Sequence, residues 1–128
     1  LSPENDPDHW DIIEGQGSLF HASYAGVSLG LLHGAQADAL VLCHEPTRTH
    51  MRGLPHHPLP DLKACMELNL VHAKLTNQDA KFVGIAINTS GLKEAERLEY
   101  LASIEKEYGL PTVDPFKDGT AAIIDNLS

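Results

Sequence analysis

The sequence predicts an α/β layered domain, a three-layer α/β/α arrangement built around a mostly parallel sheet. Three observations point there. Residues 39–44 and 82–88 are short runs that are apolar on both alternating faces, which is how strands read when helices cover both sides of a parallel sheet. Segments of helical apolar period lie between the strand candidates, giving the order β-α-β-α-β-α-β-α. Gly34, Gly109 and Pro111 punctuate those helical segments, and right-handed crossovers between parallel strands follow.

Taken in order, the first strand is expected over 9–14, where Trp10, Ile12 and Ile13 supply the apolar content. A helix rich in small residues follows over 24–33. Its Gly26 and Gly30, four residues apart, are expected to let the helix backbone approach the sheet closely. The second strand is 39–44. A helix starting from Pro60, a residue suited to the first turn, carries Leu62, Cys65, Met66, Leu70 and Ala73 as one stripe. The third strand, 82–88, leads to a helix whose stripe is Ala95, Leu98, Leu101, Ile104 and Tyr108. A weaker strand over 111–114 and a short helix over 118–127 complete the reading, with no internal repeat or low-complexity tract.

Composition narrows the function classes. At 128 residues, with 42% hydrophobic and 21% charged, the chain has the make-up of one soluble globular domain. Its formal net charge of −9 argues against a surface that tracks nucleic-acid phosphates. Cys43 and Cys65 sit in apolar surroundings and are expected to be buried thiols, which suits a reducing, cytoplasmic setting. The longest weakly polar stretch, 19–32, contains His21 and falls short of the roughly 20 apolar residues of a membrane span. No basic and apolar leader is visible. The loop-like opening from Leu1 through Ser2 and Pro3 to Asp8 suggests a piece of a longer protein.

In open parallel sheets ligands bind where the strands end and the loops begin, so those loops are the places to search. After the first strand candidate, Gly15 and Gly17 flank Gln16 ahead of Ser18 and His21, a turn whose amides suit an anion. It is not a dinucleotide fingerprint, because Phe20 stands where a third glycine belongs. Glu14 closes the strand and is suited to a hydrated magnesium ion or to general-base work, or is simply a surface acid. The loop over 43–57 gathers Arg48 and Arg52 with His44, His50, His56 and His57, making it the most electropositive stretch of a chain with nine Lys and Arg. Arginine's planar fork suits a carboxylate or phosphate. The alternative is a solvated, proline-bearing surface loop. Zinc is disfavoured, since His44 and His50 lack compact ligand spacing and no paired cysteines accompany them.

The third strand ends in Asn88, Thr89, Ser90 and Gly91, which suit a ligand ring or phosphate, although Ser90 is expected to cap the next helix. Asp114 and Pro115 read as a turn, and His33 and His72 as structural. Neither a Gly-x-x-x-x-Gly-Lys-Ser/Thr phosphate loop nor a Gly-x-Ser-x-Gly nucleophile elbow is present, so a nucleotide site here is incomplete and serine hydrolysis is disfavoured.

Several long, colinear strings carry a family resemblance. They are Glu14-Gly15-Gln16-Gly17-Ser18-Leu19 with Tyr24-Ala25-Gly26-Val27-Ser28-Leu29-Gly30-Leu31-Leu32-His33-Gly34; Leu42-Cys43-His44-Glu45-Pro46-Thr47-Arg48-Thr49-His50; Gly84-Ile85-Ala86-Ile87-Asn88-Thr89-Ser90-Gly91-Leu92; and Leu110-Pro111-Thr112-Val113-Asp114-Pro115. Across nearly the whole chain the sequence resembles the C-terminal domain of the D-glutamate N-acetyltransferase-like family, formerly a domain of unknown function.

That resemblance implies a P-loop NTPase-like fold similar in layout to dethiobiotin synthetase, here the second half without its phosphate loop. Residues 1–128 are then one α/β domain, the C-terminal part of a two-domain protein whose first half, with the phosphate loop, is a partner. The implied reaction moves an acetyl group from acetyl-coenzyme A to the amine of D-glutamate, a small anionic substrate. Carried onto this chain, Gly15, Gln16, Gly17, Ser18, His21, Glu45, Arg48 and Arg52 would bind substrate or anion, with the Gly17 and Ser18 amides facing the oxyanion. Glu14, His44 or His50 would serve as base. Asn88, Thr89, Ser90 and Asp114 would contact the cofactor, and no metal ligand is assigned. Two other readings stand beside it: half of an ATP-dependent ligase or kinase-like enzyme, with Glu14 organising magnesium-ATP, and a non-enzymatic ligand-binding or assembly module. A sheet cut in this way is expected to expose an edge and an apolar face, and therefore to self-associate as a homo-oligomer, most simply a dimer.

Overall fold

Three parallel strands form the sheet in the order β1-β4-β5, where β1 is Ala39–His44, β4 is Lys81–Ile87 and β5 is Thr112–Val113. The computed structural model describes residues 4–127; Ser2 and Pro3 of the loop-like opening lie outside the described residues. Helix α1 (Ala25–Ala35) precedes β1, α2 (Leu62–Ala73) precedes β4, α3 (Glu94–Tyr108) joins β4 to β5, and α4 (Ala121–Asp125) follows. A separate hairpin of β2 (His50–Met51) and β3 (Leu54–Pro58) hangs on the loop after β1. The mixed α/β class and the mostly parallel sheet expected from the apolar runs are both present.

Residues paired across a ladder point to the same face, so the register sorts the core. Leu42 lies opposite Ile85 and His44 opposite Ile87. This face packs under α2 and α3, where Ile85 and Ile87 are fully buried with Leu101 and Ile104, and Leu42 and Met66 lean on them. The other face presents Val41, paired with Gly84, and Cys43, paired with Ala86. Among the described residues this face is covered by the five-residue α4, through Ile123, which clusters with Val83 and Val113, and by Leu127 just after it. Gly84 makes that packing possible, because a Cβ placed there would lie 2.6 Å from Ile123 Cγ1. Val41 and Cys43 are exposed. The expectation of two buried thiols is therefore corrected: Cys65 is half-buried, while Cys43 faces the uncovered side of an edge strand.

Four other expectations change. Residues 9–14 form no strand, and Trp10 and Ile12 stand 60% and 93% exposed. A strand exists only through its ladder, and none of the described strands pairs with this segment. Gly26 and Gly30 do not bring α1 to the sheet, since a Cβ at either would meet nothing within 4 Å. Instead α1 packs beside α2, with the His33 and His72 rings 5.9 Å apart. The segment 43–57, expected as a loop, instead carries a hairpin, whose β3 tolerates Pro55 and Pro58 because it is an outer strand of a two-stranded ribbon. Its two-residue turn, Arg52-Gly53, is closed by Gly53 at φ 75°. The last helix shrinks to Ala121–Asp125.

The Gly84 contact gives a direct test of the packing. In the full-length natural chain, Gly84→Ala should lower stability by about 1–3 kcal/mol in urea titration, as overpacking does. Combined with Ile123→Ala it should cost less than the two single changes summed, because the second change removes the overlap.

Candidate functional site

The loops after β1, β4 and β5 meet at one rim. The Asn88 amide donates to the His44 carbonyl at 2.8 Å, carrying the β1–β4 pairing one residue beyond the strands. Beyond it, the two loops touch: a Cβ on Gly91 would sit 2.6 Å from Thr47 Cγ2, so only glycine fits this approach. Thr89, fully buried, turns towards β5, where Asp114 Oδ2 accepts its amide at 3.1 Å and also its hydroxyl. Asp114 Oδ1 accepts the Phe116 amide at 3.0 Å. Burial pushes the Asp114 carboxyl up, but the Thr89 hydroxyl and amide, with the Phe116 and Lys117 amides, outweigh that and hold it below its ordinary value. Asp114 is thus an ionised, 3% exposed carboxylate that locks two of the loops together.

The third strand's polar end behaves differently from a helix cap. Asn88 Oδ1 accepts the Ser90 amide at 3.1 Å, a local turn, and both side chains are exposed. Helix α3 is instead entered at Lys93, whose amide donates to Glu96 Oε2 at 3.1 Å. The capping role expected of Ser90 is corrected accordingly, and the Ser90 hydroxyl faces solvent at the rim.

On the β1 side the charges are partly spoken for. Arg48 Nη2 reaches Glu45 Oε2 at 2.8 Å, the Arg48 amide donates to the Glu45 carbonyl, and Thr47 Oγ1 donates weakly to Glu45 Oε1 at 3.4 Å. Glu45 and Arg48 therefore neutralise one another. Arg52, at the hairpin turn, is exposed and its guanidinium meets no carboxylate among the described residues. His44 is half-buried at the end of β1. Burial pulls its pKa down and the Glu45 charge pulls it partly back, so the ring is neutral at neutral pH. His50 is exposed, with Nδ1 2.9 Å from the Met51 carbonyl.

The glycine turn is tied to the hairpin. Gly17 takes φ 101°, a conformation that favours glycine, and the Gln16 carbonyl accepts Ser28 Oγ of α1 at 3.0 Å. Ser18 Oγ accepts the Phe20 amide at 3.1 Å. His21 is buried: Nδ1 accepts the Ser23 amide at 3.1 Å, which leaves Nε2 to donate to the Arg52 carbonyl at 3.1 Å. Both His21 nitrogens are engaged, so its role here is to hold the turn against Arg52. Glu14, Gly15 and Gln16 are exposed.

The structure thus joins His44, Glu45, Arg48, Asn88, Thr89, Ser90 and Asp114 through the three strand ends, and His21, which follows the glycine turn, reaches the Arg52 carbonyl. Sequence reasoning missed the Thr47–Gly91 contact and the buried Arg97 with its partner Asp118, both next to this rim. An acid four residues after Asp114 was the available signal for the second. A groove of about 320 Å³ lined by Met66, Leu70, Phe82 and Tyr108 lies at the opposite, amino end of β4 and is separate from the rim. Among the described residues, no helix is long and apolar enough to cross a membrane.

The profile of the domain of unknown function DUF1611, its C-terminal P-loop domain, matches residues 1–124. This chain belongs to that family. It is 54% identical over 128 residues, its whole length, to a D-glutamate N-acetyltransferase from Tritonibacter scottomollicae. It is 53% identical over 127 residues, 99% of its length, to a protein of the same name from a Pseudoalteromonas species. The chain spans 38% of each of those relatives. A crystal structure of a DUF1611 protein from Anabaena variabilis superposes with a TM-score of 0.77 at 36% identity, covering 88% of this chain and 33% of that one. The family expected from the sequence strings is the family found.

Within this DUF1611 domain, Asp114 should be visible in the acid limb of stability. A carboxyl held below its ordinary value, about 4, stabilises the native state above that pH, and the contribution is lost as pH falls through the lowered folded value. Asp114→Asn should flatten that acid-side decline. Asp114→Ala, which strands the Thr89 and Phe116 donors, should cost about 2–3 kcal/mol at neutral pH by denaturant titration.

Proposed function

We propose that this domain forms the substrate-binding rim of a D-glutamate N-acetyltransferase, with acetyl-coenzyme A as donor. The observation that carries the reading is identity of 54% and 53%, over essentially the whole chain, to two proteins of that name. Since the chain spans 38% of them, the reaction is proposed for the longer protein, with this domain contributing binding and proton transfer.

The chemistry asks for three groups. An amine attacks a thioester only after losing a proton, so a base is needed that is unprotonated at neutral pH and reachable. His44 fits on both counts, being neutral and half-buried at the rim; exposed Glu14 is the second candidate. An acidic amino acid needs a cation for a carboxylate, and Arg52 presents an uncommitted fork where Arg48 is already held by Glu45. The developing oxyanion needs donors, which the Gly17 and Ser18 amides offer from the glycine turn. Asn88 and Ser90 present an amide and a hydroxyl to the coenzyme.

A competing ligand is magnesium-ATP, favoured by the family's description as a P-loop domain, although no phosphate loop occurs in these 128 residues. Thermal shift of the full-length protein separates the two. Acetyl-coenzyme A or D-glutamate should raise Tm by mass action, and a rise with magnesium-ATP alone would move the reading to the ligase class. In the same protein, Arg52→Ala should raise KM for D-glutamate about tenfold or more with kcat little changed. Arg48→Ala should do less. His44→Ala should lower kcat by about a hundredfold. An unaltered KM in Arg52→Ala would remove the carboxylate from that arginine.

A further inference from the structure

Behind the rim lies a chain of charged groups, buried at Arg97 and Asp114 and exposed at Asp118 and Glu94, that the reaction outlined above does not use. Arg97, in the second turn of α3, is 3% exposed, an unusual depth for an arginine. Its Nη1 donates to Glu94 Oε1 at 3.1 Å and its Nη2 donates to Asp118 Oδ1. Asp118 Oδ2 accepts the Asp114 amide at 2.9 Å, and the Asp118 amide returns to the Asp114 carbonyl at 2.8 Å. Asp114 in turn holds the amide and hydroxyl of Thr89, and the Thr89 carbonyl accepts the Leu92 amide at 2.9 Å. Lys117 Nζ meets Glu94 Oε2 at 3.4 Å on the outer side. Every link from α3 to the loop after β4 is a hydrogen bond, and most are charge-assisted, so displacement at one end is passed to the other.

The balance of charge gives Arg97 its weight. Asp114 and Asp118 are two acids on one short loop, and the cation in contact with them is Arg97, through Asp118. Nη1 and Nη2 grip acids from two different elements, while the enclosed Nε has no hydrogen-bond partner among the described residues. A lysine has charge but no fork to span both acids.

We propose that Arg97 is a positioning residue for the ligand-facing loop Asn88–Gly91: through Asp118 and Asp114 it sets where Thr89 sits, and so how the Asn88 side chain and the Ser90 hydroxyl are presented. Its kinetic consequence rests on the acetyltransferase reading; its structural consequence does not.

The test uses the full-length protein with Arg97→Met, and Arg97→Lys as the milder variant should the first not fold. Amide hydrogen exchange is compared between residues 89–92 and strand β4. Exchange over 89–92 should quicken about tenfold in Arg97→Met and less in Arg97→Lys, with β4 unchanged. Steady-state kinetics should show KM for acetyl-coenzyme A raised about tenfold in Arg97→Lys at a kcat within about twofold. Equal quickening across β4, or none at 89–92, would overturn the proposal, and so would an unchanged KM alongside a lowered Tm, the mark of a merely structural arginine. If the unsubstituted protein transfers no acetyl group, the acetyltransferase reading fails separately, and the exchange comparison alone decides the positioning.

Discussion

The buried carboxylate of Asp114 is the constraint around which this domain's rim is organised. An isolated carboxylate in so dry a place is strongly unfavourable, and it stays ionised only because hydrogen bonds from Thr89, Phe116 and Lys117 replace its lost water. Those donors belong to the loops after β4 and β5. The condition that keeps the charge tolerable therefore also fixes the relative position of the two strand ends. The other half is tied to the rest of the domain by fewer charged groups: among the described residues, the glycine turn is held by the Ser28 hydroxyl and the hairpin by the His21 ring, both neutral donors. A site with one firm wall and one adaptable wall suits a reaction in which a coenzyme is held and a small substrate enters beside it.

How much of this was legible in the sequence depended on whether the physics was local. Strands β1 and β4 were readable from their apolar runs: β1 has the expected bounds and β4 is shifted by one residue, while on the face away from α2 and α3 Val41 and Cys43 of β1 stay exposed. The stripe of α2 was readable from its helical period, whereas α3 keeps Leu101, Ile104 and Tyr108 of its expected stripe and leaves Ala95 and Leu98 exposed, with Arg97 buried instead. Residues 9–14 offer Trp10, Ile12 and Ile13 between polar residues, but strand formation is settled by a ladder partner and not by apolar content, and the described strands offer none. The pair Gly26 and Gly30 failed as a packing signal because small residues permit a close approach without causing one. The hairpin failed in the opposite sense: a segment expected as a loop forms a two-stranded ribbon, which leaves the missing donors of its prolines without consequence.

At the site, residue types were legible and their pairings were not. Asn88, Thr89, Ser90 and Asp114 were singled out as strand-end polar groups, but nothing in the order of residues says that Thr89 and Asp114, 25 positions apart, face each other. The Arg48 pairing was open to reading, since Glu45 stands three residues before it and the turn at Pro46 brings the two together. Asp118, four residues past Asp114, was the hint of a carboxylate pair needing a cation, and Arg97 lies on a helix whose apolar stripe drew attention away from it. Burial of a charge is the feature least visible in sequence, because it depends on partners assembled from several elements.

The chain's overall charge sharpens the question of how it would recognise an anion. A formal −9 repels an acidic substrate at long range, yet that field is screened over about 8–10 Å in physiological salt, well short of the domain's width. Recognition must then be settled at contact distance, by whichever cation is not already committed. Arg97 is buried against Glu94 and Asp118, Arg48 is bound to Glu45, and Lys63 and Lys117 lean on glutamates. Among the described residues the Arg52 guanidinium meets no carboxylate, and it sits at a hairpin turn held by His21 to the glycine turn. With a net negative chain around this one electropositive loop, selectivity for an anion would come from contact geometry more than from long-range steering. On the acetyltransferase reading proposed above, discrimination between acidic amino acids would then lie in the fit of Arg52 and the glycine turn, the adaptable wall, and the firm wall at Asp114 would hold what all turnovers have in common.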